Sequence, residues 1–280
     1  MPQIERDPRS LQADCANCVA LCCVALAFTI SGDFAINKPA GVPCPHLQND
    51  FRCGIHAQLR QRGFKGCAVY DCFGAGQRVS QVTFAGVDWR QQAHLAAPMF
   101  AAFGVMRQLH ELLWHLTEAL RLPAAYPIHP ELRTALAETE RLANLDRDAL
   151  LNVEVAAHRD RVNQALRRAS KLARSGVEPP GQDYSAADLI GKDLRNTNLR
   201  GGSLRGAQLI GATLCGMDFH LTDFTGTDLR AADLRRANLQ TSLFLTQSQL
   251  ESAIGDTTTR LPAGRTQPAH WSSAATVDHE

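Results

Sequence analysis

Eight cysteines between Cys15 and Cys72 hold the densest reactive chemistry in this chain of 280 residues. The first four form the run C-x-x-C-x-x-x-C-C: Cys15, Cys18, Cys22 and Cys23. Cys44, Cys53, Cys67 and Cys72 follow, and Cys215 stands far from them. Thiolates are soft ligands, and a Cys-x-x-Cys step lets two of them reach one metal from a single turn. Zinc and iron–sulfur clusters both accept four thiolates, so spacing does not separate these two cofactors. His46 and His56 are candidates to replace a thiolate. Redox thiol chemistry and inert burial are the competing readings, and inert burial loses because free cysteines seldom gather so densely. The start MPQIERDPRSLQADC lacks the basic start expected of a secretory signal, and the apolar run VALCCVALAFTI is too short to span a bilayer. The expected compartment is the reducing cytoplasm, away from membranes, where a disulfide framework is disfavoured.

The elements that must position these ligands are short. A helix over residues 15–23 would set Cys15, Cys18 and Cys22 on one face, at steps of three and four. Cys23 is then rotated by about 100° from its neighbour, and is expected to serve a second site or to bridge a cluster. Cys44 lies in a proline-bracketed turn and Cys53 before a glycine, both loop settings able to present ligands. The segments CANCVALCC, PCPHL and CGIH, with the later cysteines, resemble a family of zinc- or iron-chelating domains named for the CxxCxxxCC motif. Some of its members are thought to hold an iron–sulfur cluster, and the resemblance supports a metal-ligand role for all eight cysteines. LRQRGFKGC departs from the Arg-Pro step usual in that family before the next cysteine.

A second pattern organises the C-terminal half. From Ala187 to Phe244 a large apolar residue returns every fifth position, through Leu189, Leu194, Leu199, Leu204, Leu209, Leu214, Phe219, Phe224, Leu229, Leu234, Leu239 and Phe244. A mostly small residue sits two positions before each, an Asp or Asn often lies between, and Gly is common two positions after. A period of five is neither helix nor strand, so it marks a turn-containing repeat. AADLIGKDLRNTNLRGGSLRGAQL and GTDLRAADLRRANLQ resemble the pentapeptide-repeat family. That resemblance implies a right-handed quadrilateral β-helix with four pentapeptides per coil, here about three coils spaced by roughly 4.8 Å. Lys192 and Met217 occupy small-residue slots; the first is expected to escape to water at an open coil end. LTQSQLESAIGD breaks the register and reads as a short capping helix over an otherwise exposed solenoid end.

Between these regions the apolar spacing predicts helices over about 90–122, 131–142 and 147–174. A helical bundle is the plain reading, and a helix-mediated homodimer is the sharper one. HELLWH places His110 and His115 roughly 140° apart on a helix, which excludes the zinc-protease arrangement. Gly74 and Gly76 lack the third glycine and lysine of a phosphate loop. The expected class is α+β and multidomain: a cysteine-rich head at 1–80, a helical domain at 81–173, a linker at 174–183, repeats and cap at 184–262, and a disordered tail at 263–280.

The formal charge of +1 offers no global steering toward nucleic acid. Members of the repeat family with long rods protect DNA gyrase by imitating DNA, but three coils are short for this. The acids and bases between Tyr184 and Ile254 also cancel, whereas a duplex mimic should be strongly acidic. The expected function is a non-catalytic interaction protein with a zinc or iron–sulfur head responsive to metal or redox state. Its partner is a protein, with no direct nucleic-acid binding. An enzyme using the cysteine-ligated centre and a gyrase-protecting factor are the alternatives. Ile190 and Ile210, pointing outward from neighbouring coils, are expected to be covered by the helical domain or a partner.

Overall fold

The computed structural model describes residues 11–271. The chain divides into two compact units, one comprising Met1–Arg121 with Ile128–Leu166, the other Leu122–Pro127 with Arg167–Glu280. Among the described residues no helix is long and apolar enough to cross a membrane.

In the first unit the cysteine-rich segment and the helices share one core. Leu11, Val19, Leu21, Ala75 and Val79 pack in the same cluster as Met99, Phe103, Met106, Leu109 and Leu113. The last five lie on α4 (Ala96–Leu120) at helical spacing. α4 begins later than the apolar spacing suggests: residues 93–95 form a tight 3-10 turn, and Pro98 falls in the first turn, where its missing N–H costs nothing. α5 (His129–Ala143) also begins at a proline, Pro130. The predicted single helix over 147–174 is two, α6 (Arg147–Leu151) and α7 (Val155–Arg174). Asp146 caps the start of α6 through Ala149 N–H at 2.9 Å, and the Asn152 side chain closes its end by donating to Asp148 O at 2.8 Å. These local bonds compete with helix continuation.

The second unit is the solenoid. Parallel bridges join residues twenty apart, including Asp183↔Ser203, Asp188↔Gln208, Ser203↔Asp223, Gln208↔Asp228 and Asp218↔Asn238. The β-structure consists of such isolated bridges separated by corner turns, with no extended strands among the described residues. Leu199, Leu204, Leu209, Leu214, Phe219, Phe224, Leu229, Leu234 and Leu239 are all at most 1% exposed. Each buried leucine or phenylalanine contributes about 1.5–3 kcal/mol relative to exposure. Thr222 and Thr227 fill small slots and satisfy their hydroxyls on Leu199 O at 2.6 Å and Leu204 O at 2.7 Å. Gly206 and Gly211 take left-handed corners (φ 67° and 64°) that side chains adopt at a cost. Lys192 is exposed, whereas Met217 is buried.

Beyond the coils, α8 (Gln247–Ser252) starts with a capping box between Thr246 and Gln249. The bridges Asp233↔Ile254 and Asn238↔Arg260 carry the chain past the last coil. The expected disordered tail is corrected here: residues up to 271 are placed, and Trp271 is buried in the solenoid core with its ring over Gly255. A lone tryptophan following a polar stretch gives no periodic signal, so the sequence hid this contact. The rest of that tail lies outside the described residues.

The polar residues of the repeats serve the corners. Asp193, Asp228 and Asp233 each accept the backbone N–H two residues on and also pair with that residue's guanidinium, Arg195, Arg230 and Arg235. The Arg195 bonds hold the Asp193 carboxyl down at about 2. For Asp228 and Asp233 burial pushes upward, but the arginine and backbone bonds win and hold both carboxyls below their ordinary value. A carboxylate whose pKa is lower in the folded state stabilises the fold above its unfolded value. That stability is lost as pH falls through the folded value. The denaturation midpoint of the solenoid is therefore expected to be flat above about pH 5 and to fall between about pH 4 and 2. A midpoint at pH 3 equal to that at pH 7 would contradict this.

Candidate metal centre

The cysteine-rich segment departs from a single helix. Asp14 caps a three-residue 3-10 turn, Cys15–Asn17, and Cys18 is extended. Ala20 takes a left-handed conformation (φ 60°), and only then does α1 (Leu21–Ala25) begin. Cys15, Cys18 and Cys22 therefore do not line one helical face, as their spacing suggests. Cys22 and Cys23 alone share the helix, with their sulfurs 3.9 Å apart.

Cys15 and Cys18 are fastened to the segment that carries Cys72. Here α3 (Ala75–Gln77) runs on into a π-helical turn, Arg78–Thr83. The Gln77 amide accepts from Asp14 N–H at 3.1 Å and donates to Gln12 O at 2.7 Å. Ser80, fully buried, accepts from Val19 N–H and donates to Gly76 O. Trp89 donates its indole N–H to Val19 O at 2.8 Å. A Cβ added at Gly76 would lie 2.7 Å from Cys18 Sγ and 3.9 Å from Cys72 Sγ. Glycine at this position leaves room for two sulfurs.

Cys44, Cys53 and Cys67 gather on another side. Cys44 N–H donates to Cys23 O at 3.0 Å, and the antiparallel bridge Leu47↔Cys53 folds the chain back on itself. α2 (Lys65–Val69) carries Cys67. Phe64, just before it, receives the His46 ring edge-on at 5.1 Å and the Phe28 ring at 6.4 Å. His46 thus packs against an aromatic ring, and His56 is exposed in the 3-10 turn His56–Gln58. Cys215 lies in the other unit.

Burial pushes the thiols of Cys15, Cys18, Cys44, Cys53 and Cys72 upward. The contact between the Cys22 and Cys23 sulfurs, in which either can donate, raises the thiol of Cys22 and lowers that of Cys23. Apart from Cys23, these thiols are held toward their protonated form by a low-dielectric setting, and a metal must displace their protons to bind. As the side chains stand, no three Cys, His, Asp or Glu among the described residues converge closely enough to hold an ion. The donor set suits soft thiophilic metals, and the backbone brings the donors into one unit.

Sequence reasoning missed the supporting residues Gln77, Ser80, Gly76 and Lys38. Lys38 is 3% exposed, and its ammonium donates to Val24 O (3.0 Å), Pro39 O (3.0 Å) and Val42 O (2.9 Å). A lysine after an asparagine carries no motif, so nothing in the sequence pointed to it. The histidines of HELLWH are structural: His110 bonds Phe73 O at 2.7 Å, and His115 lies edge-on to Trp114.

Comparison with known proteins adds to this geometry. The family described as pentapeptide repeats matches residues 185–214 and 203–240, in eight copies. A crystal structure of a pentapeptide repeat protein from the Arabidopsis thaliana thylakoid lumen is 28% identical. That match covers 32% of this chain and 57% of that one, with a TM-score of 0.23. The uncharacterized protein YybG of Bacillus subtilis (strain 168) is 56% identical over 264 residues, covering 93% of this chain and 95% of YybG. The chain is a pentapeptide-repeat protein and belongs to the same family as YybG.

Proposed function

We propose that this protein is a non-catalytic, cytoplasmic interaction protein. Its N-terminal unit is held together by cysteine-ligated zinc or an iron–sulfur centre, and its repeat coils present a docking surface to a protein partner. One observation carries the metal reading: eight thiols from five short segments are drawn into one unit by backbone bonds, the half-buried Gln77 amide and the buried Ser80 hydroxyl, with a glycine cleared beneath two of them. Thiolate ligation couples the fold of such a head to metal supply and oxidation, which makes it a sensor of either.

The solenoid's charges support a protein partner over a nucleic-acid-like role. Asp193, Asp228 and Asp233 are each neutralised by the arginine two residues on, so the coil sides carry paired rather than acidic surface. Ile190 remains 48% exposed, and an apolar side chain on that flat face suits a protein contact.

The test is elemental analysis and an absorption spectrum of anaerobically purified full-length protein. The reading predicts bound zinc in a colourless sample, or iron and sulfide in a brown one absorbing near roughly 400 nm. A metal-free sample in which all eight head thiols alkylate at the rate of free cysteine would overturn it.

A further inference from the structure

We propose that His158 and Thr139 form an acid-sensitive latch, which holds the first half of α7 to α5 and opens as the medium turns acidic. The inference does not depend on metal in the head.

The latch joins two buried polar side chains. Thr139 lies on α5 and is 0% exposed; His158 lies one turn into α7 and is 2% exposed. The Thr139 hydroxyl donates its single proton to Ala135 O at 2.7 Å. The same oxygen stands 2.8 Å from His158 Nε2. With the hydroxyl proton committed, the ring must donate in that bond, so the neutral imidazole carries its hydrogen on Nε2. Nδ1 is then a bare lone pair. It is buried, and no group among the described residues bonds it.

A second proton therefore has one place to go, Nδ1, and finds no acceptor there. It would also bring a full charge into the helix packing, which is costly unless a partner offsets it. The surrounding charges do not supply that partner. Arg161 on α7 and Arg141 on α5 oppose an imidazolium, and Glu138 on α5 favours it. The Glu138 carboxylate is already held by Arg141 through two bonds of 2.8 Å. On α4 the acid that reaches α7 is Glu111, which Arg107 and Arg159 share. Burial and then Arg161 hold the ring below its ordinary value.

The sign of the pH effect follows. A histidine whose pKa is lower in the fold leaves stability untouched above the open-chain value, about 6.5. Below it the open state takes up a proton that the closed state refuses, so opening grows by up to about tenfold per pH unit until the folded ring titrates. The latched stretch of α7 carries the chain to Leu166, where the first unit ends. Acid therefore loosens the helix by which the chain leaves that unit.

The test is amide hydrogen exchange of the reduced full chain, each rate taken relative to an unstructured peptide at the same pH. Opening at Val162, Ala165 and Leu166 is expected to be constant above about pH 6.5 and to rise about tenfold or more by about pH 5. Leu204 and Leu209 in the solenoid should stay flat over that range. Opening of α7 that does not change down to that pH overturns the latch. His158→Gln keeps a side-chain donor for Thr139 and cannot titrate, so its profile should be flat; a rise equal to that of wild type overturns the assignment to His158. Nitrogen NMR of the wild-type ring supplies a readout that needs no variant to fold. It should show the Nε2–H tautomer at neutral pH, and an Nδ1–H tautomer, or a folded ring titrating at or above its ordinary value, overturns the proposal.

Discussion

Asp223→Ala is expected to lower the stability of the solenoid by about 3–5 kcal/mol, the scale for breaking one partner out of a buried ion pair. Asp223 is 1% exposed. One of its oxygens accepts from Ser170 Oγ at 2.6 Å, and the other from Thr225 N–H and Oγ1 at 2.8 and 2.6 Å. The Arg205 guanidinium stands 3.4 Å away with its side chain only 14% exposed, and burial pulls its pKa down. Alanine would strand that guanidinium in a dry setting and free two hydroxyls, so the loss exceeds a single neutral hydrogen bond of about 1 kcal/mol. Asp223→Asn keeps an acceptor for Thr225 but removes the charge facing Arg205, and should fall between. The same change at Asp193, whose pair with Arg195 is open to water, should matter far less. Denaturation followed by the solenoid's transition measures all three. A loss at Asp223 no larger than at Asp193 would contradict the network.

The sequence legibly contained the solenoid because its signal is local and repeated. A buried Leu199 or Leu214 is announced by its own pentapeptide, and the corner glycines and Asx bonds follow from the same five residues. Twenty-residue register then needs no long-range guess, as the bridge Gln208↔Asp228 shows. α4 and α5 were readable for the same reason, from one apolar stripe each.

The head was legible only in composition. Its spacing suggested one helix through Cys15, Cys18 and Cys22, but Ala20 turns the backbone left-handed between Cys18 and Cys22. That turn is held by partners some sixty positions away: Ser80 and Trp89 fix both polar groups of Val19. No window of neighbouring residues reports such contacts. Lys38 escaped for the same reason, since its burial rests on carbonyls of Val24, Pro39 and Val42 that no motif announces. Trp271 escaped because its partner, Gly255, belongs to no repeat.

If the head is metal-held as proposed, metal removal has the largest expected effect of all. The head's helices are short: α1 and α2 have five residues each, below the length at which helices persist unaided. The thread from Leu26 to Phe64 holds two isolated bridges, Phe28↔Lys38 and Leu47↔Cys53, and a small aromatic cluster. Structural zinc in small domains contributes about 10–16 kcal/mol of folding free energy at neutral pH. A head so poor in regular structure should depend on a contribution of that order. The solenoid places none of the eight cysteines and should be indifferent. Hydrogen exchange on the full chain, with and without a strong chelator under reducing conditions, separates the two. We predict that chelation abolishes backbone protection at Val24, Lys38, Leu47 and Gly54 while Leu204, Leu209 and Leu229 keep theirs. Unchanged protection across the head after the metal is gone would contradict the account.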